Sequence, residues 1–190
     1  MEKSKIISNN NIEAIIQNKL NSPYIEVGSH YKGGIIAYVL NPNDPGYEVE
    51  EKHGIIIASK DQSAGIEWGC YGFKINGIQN LIGSGISNTI DIISNCPQTE
   101  IAARICYNLN LNGYSDWHLP SIYELEKLFL NLSIINENSV INGGESLTDK
   151  IYWSSSQPDS QHALALDFNT GEMSRKVKNS KFYVRAIRTF

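Results

Sequence analysis

The sequence predicts an α+β domain, and three observations carry that prediction. Apolar runs of strand length follow residue 30, apolar residues at helical spacing occupy the middle, and short strand-like segments close the chain. Strands, then helices, then strands imply that the two ends of the chain meet in one sheet.

The first 22 residues read as a separate element. Asn9, Asn10 and Asn11 offer helix caps, and Ile12, Ile15, Ile16 and Leu20 follow at helical spacing until Ser22-Pro23 stops the pattern. A helix this short needs a surface to dock on. Packing on its own domain and self-association both remain open. Residues 23–190 form the main domain.

Within that domain, residues 33–40 read as a buried strand and residues 54–59 as its partner, joined by the turn-rich Asn41-Pro42-Asn43-Asp44-Pro45-Gly46. Residues 61–89 are rich in Gly, Asn and Ser and read as ordered loops anchored by Trp68 and Tyr71. Residues 97–109 read as a helix, with Ile101, Ile105 and Leu109 on one face. Gly113 to Ser121 reads as a hinge between helices: Trp117 and Leu119 face inward, while Asp116 and His118 alternate with them. Ser121-Ile122-Tyr123-Glu124 is a capping box opening a further helix along Leu125, Leu128, Phe129 and Leu132. Residues 136–149 read as a polar loop. Residues 151–153, 162–168, 172–178 and 182–189 read as short strands, with a hairpin turn at Asn169-Thr170-Gly171.

With 190 residues, 41% hydrophobic and 19% charged, the chain can bury a core as one domain, or as one domain with a short appendage. A net charge of −4 argues against a general nucleic-acid binder. The charge is nonetheless uneven: residues 171–190 hold six basic residues (Arg175, Lys176, Lys178, Lys181, Arg185, Arg188) against one acid, Glu172. Such asymmetry hints at a local interaction surface. The polar first eleven residues lack the apolar run of a signal peptide, and no segment is long enough to span a membrane. Synthesis in the cytoplasm is expected, with display on a cell or phage particle left open.

Cys70, Cys96 and Cys106 form no CxxC or zinc spacing and read as buried free thiols. His30, His53, His118 and His162 form no HxH or HExxH pattern. Gly83-Ser84-Gly85 lacks the rest of a phosphate loop, and Ser154-Ser155-Ser156 lacks a nucleophile elbow, so its hydroxyls read as backbone contacts. Asp116 reads as a buried carboxylate capping local amides. No catalytic residue, metal site or cofactor is predicted.

Several phrases, taken in order, resemble one known family. They are Gly33-Gly34-Ile35-Ile36, Ile82-Gly83-Ser84-Gly85 with Asn88-Thr89, Ala102-Ala103-Arg104-Ile105-Cys106, Gly113 through Ser121 with Glu124-Leu125, Tyr152-Trp153-Ser154-Ser155-Ser156, and Val184-Arg185-Ala186-Ile187-Arg188. Across residues 30–190 the chain resembles the C-terminal domain of the Legionella collagen-like adhesin. That resemblance implies a C-type-lectin-like fold with small antiparallel sheets and two packed helices. It further implies a binding module of adhesin or receptor-binding type. Relatives of this kind occur on phage tails and as variable proteins of diversity-generating retroelements, and they often act as trimers. The alternatives are a tail-assembly protein and an enzyme of the formylglycine-generating branch, whose C-terminal cysteine pair is missing here.

By the same resemblance, the ligand surface lies between the Trp-Ser-Ser motif and the final Val-Arg-x-x-Arg. Gln157, Asp159, Ser160, His162, Asn169, Ser174, Lys176, Asn179, Lys181 and Tyr183 are its candidate ligand residues. Gln157-Pro158-Asp159 spells a lectin sugar triplet, but outside that motif's context. Trp117, Trp153 and Phe168 are expected as scaffold, and Arg185 and Arg188 as structural ion-pair residues. The expected partner is a cell-surface protein or glycan of acidic character.

Overall fold

In the computed structural model, residues 24–190 are described; the predicted helix in residues 1–22 lies outside them. Nine strands and four helices follow in chain order among the described residues. Strands β1 (His30–Tyr31), β2 (Gly34–Val39), β3 (Gly54–Ile57) and β9 (Ile187–Thr189) form a sheet in the order β1-β2-β3-β9. The second sheet has the order β4-β8-β5-β6-β7, from β4 (Ser63–Glu67), β8 (Lys181–Val184), β5 (Ile151–Trp153), β6 (His162–Asp167) and β7 (Met173–Val177). The pairing of β9 with β3 joins the C-terminal end to the first hairpin, as the order of elements predicts.

Strands β2 and β3 are continuous apolar runs because both of their faces are covered. Ile36 and Ile56 enter one cluster with Trp68, Trp117 and Trp153. Ile35, Ala37, Ile55 and Ile57 enter the other with Ile122, Leu125, Leu128 and Phe168. Gly34 permits the hairpin's close approach, since a Cβ there would strike the Ile57 carbonyl.

Helices α1 (Gly85–Asn95) and α2 (Ala102–Tyr107) lie against the first cluster. Helices α3 (Ile122–Leu130) and α4 (Leu132–Ile141) cover the second. The capping box at α3 is present as predicted: Ser121 Oγ accepts from Glu124 N, and Ser121 N donates to the Glu124 carboxylate at 2.6 Å. That carboxylate also accepts from Gly83 N at 2.8 Å, so one buried acid closes the entrances of α1 and α3 together. Burial pushes its pKa above the usual carboxylate range, against the backbone bonds that lower it.

Several sequence expectations are corrected. Two packed helices are joined by two more. Residues 61–89 are not all loop, because β4 and the start of α1 fall there. The 136–149 segment is helical as far as Ile141. Its Asn- and Ser-rich composition hid a helix that tertiary contacts stabilise: Ile135 and Ser139 are buried, and Asn131 Nδ2 donates to the Ala37 carbonyl. The 97–109 helix shortens to α2, with Ile101 extended as its N-cap.

Cys70 and Cys96 are not free thiols but a disulfide; Cys106 alone is free and buried. The left-handed backbone at Cys70 (φ 49°) brings its side chain to the end of α1, which spacing could not reveal. The hinge residue His118 is also buried, because residue 118 forms a bridge with Ile187 in both directions. Asp116 is half exposed rather than buried, and its carboxylate takes a two-pronged bond from Arg188 at 2.7 Å on each side.

Candidate binding surface

The second sheet presents a hairpin, β6–β7, whose far strand is its edge. Residues directly opposite across such a pair share a face. Ser174 lies opposite Ala165 and Lys176 opposite Ala163, while Arg175 faces Leu164 and Val177 faces His162. The candidate residues therefore divide between two faces. Ala163 and Ala165 are buried, so the face they share with Ser174 and Lys176 is covered along β6 and opens only at the edge. Met173 goes inward as the alternation suggests, but Val177 is exposed and Lys178 is not.

Lys178 is the pin beneath this surface. Its ammonium sits 4.4 Å from the centroid of Trp68 and donates to Gln157 Oε1 at 2.6 Å and the Phe73 carbonyl at 2.7 Å. Its backbone N–H bonds Gln161, and its carbonyl accepts from Trp68 N. Burial pushes the Lys178 ammonium down to about 8, against the pull of Asp159 in the other direction. Gln157 is thereby withdrawn from the surface: it is buried, and its amide nitrogen donates to the Ile75 carbonyl. Tyr183 is half-buried, packs against Tyr152 with centroids 5.8 Å apart and lies beneath the Lys150 ammonium.

The other candidates stay accessible. Asp159, Ser160, His162, Asn179 and Lys181 gather at one end of the hairpin, with Arg175 beside them. Asn169 caps the opposite end, roughly 20 Å away by the rise of the strand. Asp159 organises the gathered end: its Oδ1 accepts from Gln161 N and His162 N at 2.8 Å and lies 2.9 Å from His162 Nδ1. Slight desolvation works against ionisation of this carboxyl, but those bonds outweigh it and hold its pKa below the usual range. Arg175 approaches Asp159 only to 3.9 Å and remains largely solvated.

A groove of about 730 Å³ adjoins this end through Lys181. Ile66, Pro97 and Ile105 line it with apolar groups, and Ser63, Glu67, Gln98, Thr99 and Glu100 with polar ones. The Cys70–Cys96 disulfide fixes the wall, since Pro97 and Gln98 follow Cys96 directly and Gln98 Oε1 accepts from Cys70 N. Sequence reading missed these groove residues because they lie on separate segments. Its one signal was the dense Gly, Asn and Ser of residues 61–89.

The family motifs themselves are internal staples. Ser154 Oγ donates to the Leu164 carbonyl at 2.7 Å, Ser155 Oγ accepts from Asn88, and Ser156 Oγ accepts from Ile122 N. Thr89 Oγ1 donates to the Gly85 carbonyl and accepts from Leu119 N. Arg185 and Arg188 take the expected structural ion pairs, with Asp61 and Asp116.

The family model described as the Lcl C-terminal domain matches residues 58–188, covering every one of these staples. The chain belongs to the Lcl C-terminal domain family. Among solved structures, this Lcl-type domain is similar to a fimbrial protein from Bacteroides ovatus, with a TM-score of 0.57 and 13% sequence identity. The match covers 86% of this chain and 48% of that one, so the chain spans about half the length of the fimbrial protein. At this identity the likeness is one of fold, and it agrees with the expected α+β class, whose strand pairs here are antiparallel except β5–β8, which is parallel. No curated protein matches the sequence.

Proposed function

We propose that this Lcl-type domain is a binding module that captures a cell-surface glycan or protein with the end of the β6–β7 hairpin. One observation carries the reading: accessible polar side chains cluster over a scaffold whose large charged groups are satisfied internally. Three of the six C-terminal basic residues, Lys178, Arg185 and Arg188, are spent on the fold. Arg175, Lys176 and Lys181 remain to attract an acidic ligand, such as a sulfated or sialylated glycan.

The disulfide supports display in an oxidising compartment, on a cell surface or a particle. The serine run supports binding over catalysis, because each of its hydroxyls is engaged in the scaffold. The accessible hairpin positions also suit a diversified surface of a retroelement or phage receptor-binding protein, since exposed side chains change at little cost to folding. The apolar stripe Ile12, Ile15, Ile16 and Leu20 suits the seam of a homotrimer.

The test compares binding to sulfated, sialylated and neutral glycans as salt is raised. Exposed charges are screened over about 10 Å at 0.1 M salt. Selective, salt-sensitive capture of acidic glycans, weakened by Lys181→Glu, is expected; equal binding to neutral glycans would refute the acidic-ligand reading.

A further inference from the structure

His53, immediately before β3, presents an arrangement that the binding surface does not use. Its Nδ1 lies 3.1 Å from the Phe190 carbonyl oxygen, which can only accept, so this nitrogen carries the proton and donates. In the neutral imidazole Nε2 is then a lone pair. That atom is shut off from solvent and has no hydrogen-bond partner among the described residues. It faces Glu48 Oε1 at 3.7 Å, leaving two acceptors turned toward each other. Glu51 completes the group, with ligand atoms from all three residues within 4.8 Å of one another.

We propose that Glu48, Glu51 and His53 bind a divalent transition-metal cation of the zinc class. Tetrahedral zinc with bonds of about 2.1 Å sets its ligand atoms roughly 3.4 Å apart, so the His53–Glu48 pair, at 3.7 Å, stands close to the spacing one ion requires. The remaining separation closes by small rotations of exposed glutamate side chains. Donation from the second imidazole nitrogen to a backbone carbonyl is the usual means of orienting a metal-bound histidine. Here that carbonyl is itself fixed, because Phe190 O accepts from Gly54 N and Phe190 N donates to Gly54 O. A nitrogen ligand beside two carboxylates favours zinc or a neighbouring transition ion over calcium, which takes oxygen ligands. Three protein ligands leave one position open to water or to an oxygen of a bound partner. The ion would tie the β2–β3 connection to the C-terminal strand. Sequence reading missed the site because Glu48, Glu51 and His53 match no spaced metal motif.

The competing account is a protonated His53 paired with Glu48 alone, and calorimetry on the untagged, chelator-stripped full chain separates the two. Zinc chloride is titrated, with calcium chloride as the control and His30→Gln, at an exposed histidine of β1, as a variant that leaves the site intact. One equivalent of zinc should bind, unaffected by His30→Gln and weakened at least tenfold by His53→Gln. The double variant Glu48→Gln/Glu51→Gln, altered only at exposed side chains, should lose binding while keeping its circular dichroism spectrum. Absence of zinc binding, calcium binding equal to zinc, or undiminished zinc binding by the folded double variant would each overturn the proposal.

Discussion

Arg185 Nε and Asp61 Oδ1 meet at 2.6 Å, and the arginine side chain is 0% exposed. The same carboxylate accepts from Lys150 Nζ at 2.8 Å and from the Tyr152 hydroxyl at 2.9 Å. The guanidinium also reaches the carbonyls of Ala58 and Glu145. One acid thus gathers the segment after β3, the start of β5 and the end of β8. Asp61→Ala should cost about 3–5 kcal/mol, because it strands a buried guanidinium without its counter-charge. Urea unfolding measures it; a loss within 1 kcal/mol would show that the pair contributes little.

Trp117 is buried to 1% and sits where the 116–119 segment pairs with β9. Trp117→Ala should destabilise by about 3–5 kcal/mol through the cavity it leaves. A thermal shift of only a degree or two would contradict its place in the core.

The disulfide joins residues 26 apart in sequence. Replacing Cys70 and Cys96 together by Ser should cost about 2–4 kcal/mol, chiefly by freeing the unfolded chain. The variant should match the reduced wild-type protein in melting temperature; equal melting of oxidised and reduced wild type would count against the bond.

Burial of His118 pushes its imidazole down to about 4, against the pull of Asp116 in the other direction. The unfolded histidine titrates near 6.5. Between these values the unfolded chain holds more protons, so this group's contribution to stability falls as pH drops from about 6.5 toward 4. The full effect is up to about 3 kcal/mol. Unfolding followed at several pH values should show a steeper acid loss in wild type than in His118→Gln; parallel curves would mean that His118 is accessible to protons in the fold.

The legible parts of this fold are those with local causes. The Ser121–Glu124 capping box and the runs at β2 and β3 announce themselves within a few residues, and the structure has them where the sequence puts them. Helix α4 and strand β4 were hidden because distant partners stabilise them: Ala37 and the second cluster for α4, and β8 for β4. The Cys70–Cys96 bond was hidden for the same reason. Lys178 belongs to the C-terminal basic run that hints at an interaction surface, but the chain turns after Val177 and carries it inward onto Trp68. At the candidate surface the hairpin was readable from composition, but Gln157 looks as exposed as Asp159 in sequence, and only the position of Lys178 distinguishes them.

The central claim is that recognition belongs to the hairpin end while stability belongs to the staples beneath it. The combined variant His162→Ala, Lys176→Ala, Asn179→Ala and Lys181→Ala tests it by melting temperature and by binding to host cells. Each exposed change should alter stability by no more than about 0.5 kcal/mol. The account predicts at least a tenfold loss of binding from a domain that still folds and melts cooperatively. Full binding by the folded variant would contradict it and move recognition away from this surface.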